Sequence, residues 1–337
     1  MVAKDRKKIM KNLSFIKLAI TVAVTSTIAL GGLYSETVHA AAPMAKIPAP
    51  GFFRFTLGDF EVTALSDGTV DLPVDKLLQQ APEKTKKELT DVYLNTPTET
   101  SVNAYLINTG NKLILIDSGA GALFGPTLGK LLSNLVASGY KPADIDEIYI
   151  THLHPDHVGG LMQDGKLAFP NAIIRADERE SAYWLSESNL AKAPEGNKGF
   201  FQGATASLKP YIDAHHYQSF TTNGVLTPGI SSYSSYGHTE GHTSYVVESH
   251  GKKMIVAGDL IHVSAVQFEH PKVTIGFDST PKAAMESRFH VFDEAAKEGD
   301  LVAAAHIPFP GLGHLRVVGK TYAKSYQWIP VNYTQPR

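Results

Sequence analysis

Residues Thr151–Gly160 read THLHPDHVGG, which puts His152, His154, Asp156 and His157 within six positions. Side chains two apart on an extended segment point the same way, so His152 and His154 can close on one cation. Pro155 helps end the extended run, and Asp156 and His157 on the following turn can reach a second cation beside the first. Two divalent ions about 3.5–4 Å apart acidify a shared water and clamp the charge that develops on a substrate. The stretch therefore predicts a hydrolytic metal centre rather than a solvated His-rich loop.

Working outward, Asp146–Ile150 predicts a short strand that delivers the cluster at its end. Four more polar residues sit where predicted strands stop: Asp117, His242 in GHTEGHTS, Asp259 in VAGDLI and His306 closing AAAH. Donors on strand ends are held more rigidly than donors on loops. The Asp259 carboxylate can lie between two ions, which a neutral histidine cannot do. Hairpins are predicted for Phe53–Leu57 with Phe60–Leu65, and for Val102–Asn108 with Lys112–Asp117. Further strands are expected at Ala172–Ala176, Ser244–Ser249, Lys253–Ala257 and Leu301–Ala305. Helical patterns cover about 127–138, 178–186, 204–211 and 281–297, and 76–91 reads as a helix or a mobile arm. Strands interspersed with helices in two similar halves predict an α/β fold, two packed sheets with helices outside.

The chain has 337 residues, 43% hydrophobic and 19% charged, enough for a large core. Residues 1–40 read as a signal peptide: Lys4, Arg6, Lys7, Lys8, Lys11 and Lys17, then an apolar run from Leu18 to Leu33, then Val38-His39-Ala40. The expectation is an exported protein, periplasmic or secreted, whose domain spans 41–337. The leader carries six basic and two acidic residues, so a whole-chain charge of −2 leaves about −6 on the remainder. That balance disfavours nucleic acid as a partner, and no membrane association is expected once the leader is removed. There is no cysteine, which excludes thiol nucleophiles, thiolate zinc sites and iron–sulfur clusters. Any metal must be held by nitrogen and oxygen.

HxHxDH, a later GHTxGHT, a Gly-Asp after a strand and a strand-terminal histidine together resemble the metallo-β-lactamase superfamily. Four stretches resemble its methyl parathion hydrolase branch: LGDFEVTALSDGTV at 57–70, LFGPTLG at 123–129, EIYITHLHPDHVGGLM at 147–162 and PVNY at 330–333. The resemblance implies a four-layer αββα sandwich. It implies that His152, His154 and His242 hold one zinc and that Asp156, His157 and His306 hold the other. Asp259 would bridge both, together with the hydroxide nucleophile. Such donor sets suit zinc and also accept cobalt, manganese or iron. His238, four residues before His242, is expected to hydrogen-bond behind the ligands. Asp117 is expected either to orient a ligand histidine or to cap a turn. Glu240 departs from the proline usual in the motif and is expected as an exposed loop charge.

The same resemblance implies a homodimer and a pocket lined by Phe124, Trp184 and Phe201; Leu72 and Leu77, from the region after the first hairpin, are expected to add to its rim. His262, three residues past Asp259, is as well placed to enter the pocket as to avoid it. A greasy pocket over metals suits small neutral esters. The favoured expectation is hydrolysis of aryl dialkyl phosphotriesters. The alternative is a lactonase or arylesterase, including acyl-homoserine lactones, using the same site. A redox or metal-binding protein on this fold is the third, and the seven-donor set argues against it.

Overall fold

Alternation along two neighbouring strands decides the architecture. Tyr105, Ile107, Ile114 and Ile116 enter one buried cluster, while Leu106, Leu113 and Leu115 enter another on the opposite face. A sheet buried on both faces must be covered on both. This computed structural model describes residues 42–319 and 324–333. The signal segment expected over 1–40 lies outside the described residues. The chain divides into two units, Met1–Pro48 and Ala49–Arg337, and everything below concerns the second.

One seven-stranded sheet comprises β1 (Phe52–Leu57), β2 (Phe60–Leu72), β3 (Thr98–Asn108), β4 (Leu113–Ile116), β5 (Glu147–Tyr149), β8 (Ile173–Asp177) and β9 (Tyr217–Phe220), hydrogen-bonded in that order. A small ribbon, β6 (Met162–Gln163) with β7 (Lys166–Leu167), stands apart. The second sheet runs in sequence order through β10 (Val225–Thr227), β11 (Ile230–Ser234), β12 (Thr243–Ser249), β13 (Lys252–Gly258), β14 (Leu301–Ala304), β15 (Leu312–Val318) and β16 (Ser325–Pro330). Between the sheets lie Val62, Tyr105 and Ile116 from the first, and Tyr245, Val256 and Ala303 from the second.

Helices cover the outer faces. The Lys198–Asp213 helix buries Phe201, Ala204, Leu208 and Tyr211, a helical 3-4-3 spacing, in the cluster on the first sheet. The Pro281–Glu298 helix packs Val291, Phe292 and Ala295 on the second sheet and ends at Gly299, whose φ of 74° supplies the left-handed turn. The result is the expected four-layer αββα sandwich.

Most predicted elements are present, with shifted ends. Strand β2 runs seven residues past the expected Leu65, because Val70 and Leu72 still find apolar neighbours. The segment read as helix or arm is two helices, Val74–Leu77 and Pro82–Asp91. Among the described residues no helix is long and apolar enough to cross a membrane.

Strand direction places the site. Parallel pairing of β4 with β5 and of β13 with β14 puts their carboxyl ends at one edge of the sandwich. Open α/β sheets bind ligands at that edge. There Thr243 N donates to Thr151 O (2.9 Å) and Tyr245 Oη donates to Ile150 O (2.6 Å), tying the two sheets together beneath the histidines.

Candidate metal centre

Strand β5 stops at Tyr149, and His152 to His154 continue extended. Pro155 then opens a short helix, Pro155–Val158, with His154 as its N-cap residue. This geometry sends His152 and His154 one way and Asp156 and His157 the other. The cluster splits accordingly: His152, His154, His238 and Asp259 converge, Asp156, His157 and His306 converge, and Asp259 also meets His262 and His306.

Asp259 lies between the two groups. Its Oδ1 is 3.1 Å from His157 Nε2, and its Oδ2 is 3.6 Å from His152 Nε2 and 3.3 Å from His238 Nε2. The same Oδ2 is 3.2 Å from His306 Nε2 and 3.1 Å from His262 Nε2. Burial would raise its pKa, yet His157, His306 and His152 hold it well below the usual carboxylate range. His152 Nε2, His157 Nε2 and Asp259 Oδ1 are buried without a hydrogen-bond partner among the described residues. Buried polar atoms without partners are costly and rare. Donor atoms sharing a tetrahedral zinc at about 2.0–2.1 Å would lie roughly 3.3 Å apart, which these separations match. The residues therefore fit two cations bridged by Asp259.

One expected ligand is corrected. His242 is turned away: its Nδ1 is held by Ser235 Oγ at 2.8 Å, and its Nε2 accepts the Asp259 backbone N–H at 3.0 Å. Both nitrogens are spent, and burial pushes its pKa down to about 3, so it is a neutral acceptor that anchors the Asp259 backbone. Gly258 makes this possible. Its φ is +56°, and a Cβ there would lie 2.6 Å from His242 Nε2. The ligand position belongs to His238, whose Nε2 is 3.2 Å from His154 Nδ1 and whose Nδ1 is held by Asp278 Oδ1 at 2.9 Å. Choosing between two histidines four apart needs the turn geometry: His242 abuts the first residue of β12, whereas His238 stands at the tip of the loop.

Several of these histidines have an outer partner. Asp117 Oδ2 holds His157 Nδ1 at 2.8 Å, while Asp117 Oδ1 accepts the Thr151 N–H at 2.8 Å. Asp117 has a φ of +62°, uncommon for a residue with a side chain. The orienting role is thus the one the structure supports. Asp117→Asn is expected to weaken metal binding roughly 10–100-fold with the fold retained, checked by zinc titration beside circular dichroism. His306 Nδ1 pairs with Ser101 O at 2.9 Å. Glu240 is exposed, as expected.

His238 has a second consequence. Burial lowers its pKa, but hydrogen bonds to Asp259 and Asp278 outweigh that and raise it from 6.5 to about 9. Without metal, its raised value contributes stability that is complete below pH 6.5 and lost as the pH climbs through about 9. A ligating histidine must be neutral, so metal binding at pH 7 is expected to release at least one proton and to tighten as pH rises. Calorimetric metal titrations in buffers of different ionisation enthalpy would detect it; a buffer-independent heat would refute it.

The pocket is partly as expected. A cavity of about 110 Å³ over Asp156, Asp259 and His306 is walled by Val70, Leu72, Phe124, Leu128, Phe200 and Phe277. His262 lines it and stacks on His306, ring centroids 4.9 Å apart. Trp184 and Phe201 are core residues whose rings pack 4.6 Å apart with their planes tilted by 50°; they wall a neighbouring cavity of about 250 Å³ that also reaches His154. Leu77 does not line the chamber, since it packs beside Val74, Leu78 and Ile275 under the first helices. Phe200 and Phe277, which stand between the two cavities, were not among the expected pocket residues. The Phe200-Phe201 pair pointed to the region without saying which ring faces the metals.

Fold and site together are those of a metal-dependent hydrolase. Residues 97–306 match the Metallo-beta-lactamase superfamily, and the chain belongs to it. It is 37% identical to the hydrolase AbOPH of the beta-lactamase superfamily, over 86% of this chain and 100% of that one, with a TM-score of 0.80. It is 28% identical to AidC, a dizinc quorum-quenching lactonase solved with a product N-hexanoyl homoserine, over 85% and 99% of the two chains, with a TM-score of 0.77. An N-acyl homoserine lactonase of Bacillus cereus is 26% identical over 60% of this chain and 79% of its own length.

Proposed function

We propose that this protein hydrolyses small neutral lactones and carboxyl esters, N-acyl homoserine lactones foremost, at a centre of two zinc ions. The observation that carries the reading is the juxtaposition of the donor cluster, at the chamber's floor, with an apolar wall formed by Val70, Leu72, Phe124, Leu128, Phe200 and Phe277. Such a wall accepts a neutral ring or acyl group and repels an anion. The lactonases named above support the substrate class, and the order of the two readings drawn from sequence alone is reversed accordingly.

When bound, two divalent ions supply an acidified water and a Lewis acid for the carbonyl. The chain's own residues do the rest. His238 is held through its other nitrogen by Asp278, so its ring is oriented before metal arrives. Asp259 approaches His152 and His238 of one donor group and His157 and His306 of the other, and so keeps the two in register. Asp156 is the more accessible of the two carboxylates, with 19% of its side chain exposed against 3% for Asp259. Lining the chamber, it is placed to take up the proton that the attacking water gives up and to return it to the leaving alkoxide of a lactone.

An aryloxide leaving group needs no such proton, and this separates the lactone reading from the phosphotriester one. With zinc-loaded protein, kcat/KM for acyl lactones is expected to exceed that for an aryl dialkyl phosphotriester by at least roughly tenfold. Faster phosphotriester turnover would return the methyl parathion hydrolase branch to first place.

A further inference from the structure

Glu180 is fully buried, its pKa raised by that burial to about 7, and it is absent from both donor groups. It sits in the first turn of the Glu178–Trp184 helix, whose N-cap Asp177 accepts the Arg179 N–H at 2.8 Å. Its two carboxylate oxygens go to different loops. Oε2 accepts the N–H of Leu153 at 2.9 Å, the residue between His152 and His154. Oε1 accepts the N–H of Gly241 at 2.7 Å, three residues after His238. The loops come from different sheets and are far apart in sequence, yet one side chain spans them.

The approach is close enough to restrict the sequence of the second loop. A Cβ on Gly241 would lie 2.8 Å from Glu180 N and 2.9 Å from Asp177 Oδ1. The helix start is thus wedged against the turn that carries His238. Burying a carboxylate costs free energy that two amide donors only partly offset, and an apolar residue would fill the space more cheaply. What an apolar residue cannot do is fix the separation between the two loops. The other donor group has its own tethers, Asp117 on His157 and Ser101 on His306, and none of these bonds reaches Glu180.

We propose that Glu180 is the positioning residue of one half of the centre: it sets the distance between the His152–His154 segment and His238, and so the affinity of the ion those three histidines share. The inference rests on assigning these histidines to one ion, as above. It predicts a selective defect. In Glu180→Gln, one amide must lose its acceptor because the new NH2 group faces an N–H, while volume is unchanged. The three-histidine ion is expected to bind roughly 10–100-fold more weakly, with the Asp156–His157–His306 ion unaffected.

The test uses the full-length protein stripped of metal and titrated with cobalt, followed by visible absorption and by metal equivalents kept on dialysis. Wild type should fill two sites. Glu180→Gln should fill one normally and the second at higher cobalt, with unchanged near-ultraviolet circular dichroism. Glu180→Asp, which keeps the carboxyl group but shortens the reach, should show the same one-site defect, and it decides the matter if the glutamine variant does not fold. Two wild-type affinities in a variant, or equal loss at both sites, would overturn the proposal. A wild type holding fewer than two equivalents would overturn the two-ion centre itself, a failure visible without any variant.

Discussion

Replacing Asp259 with alanine is expected to abolish turnover, a loss well beyond the roughly 10–100-fold that removal of an outer partner costs. Among the described residues Asp259 is the only carboxylate that belongs to two of the converging groups. His157, His306, His152 and His262 all hold its charge in place. Without it the histidines are a cluster of mutually repelling sites, and the ions lose their common anionic ligand. Both ions should then weaken together, unlike the half-site loss foreseen for Glu180. Asparagine would keep the volume but bring an amide NH2 toward nitrogens that need an anion, so it should fail almost as completely. Metal equivalents after dialysis, measured beside kcat, check this; Asp259→Asn retaining two ions and full turnover would remove the bridge from the description.

The second large effect is a contrast between neighbours. His238→Ala is expected to lose the ion it shares with His152 and His154, leaving one equivalent bound and turnover severely reduced. His242→Ala is expected to keep two equivalents while destabilising the protein, because it strips the Asp259 N–H of its acceptor inside the core. An unsatisfied buried donor costs roughly 1–3 kcal/mol, and the vacated ring volume adds to it. Metal content and thermal unfolding of the two variants separate the roles. The reverse pattern, with His242→Ala metal-poor and His238→Ala metal-replete, would restore the ligand set expected from the motif alone.

That contrast indicates where the sequence is legible. THLHPDHVGG could be read because a strand, a proline and a short helix fix where successive side chains point, all within one local stretch. Asp259 and His306 were legible because each directly follows an apolar strand. GHTEGHT was misread because both histidines are buried and polar, and the choice depends on Gly258 and Ser235, residues near in space but remote along the chain or silent in pattern. Pocket walls fared worse. Whether Phe200 or Phe201 faces the chamber depends on the rotation of the Lys198–Asp213 helix, which its neighbours determine. Strands β9 and β10 escaped for another reason: they are only four and three residues long and partly exposed, so alternation is weak.

The two sheets are fastened beneath the histidines by the Thr243–Thr151 backbone bond and the Tyr245 hydroxyl. This has a consequence for biogenesis. A ribosome releases His152, His154, Asp156 and His157 long before it adds His238, Asp259 and His306, and no early fragment contains a complete coordination sphere. Stable loading must therefore wait until the late half has docked. Metal is then acquired by a finished scaffold rather than acting as the seed that builds it.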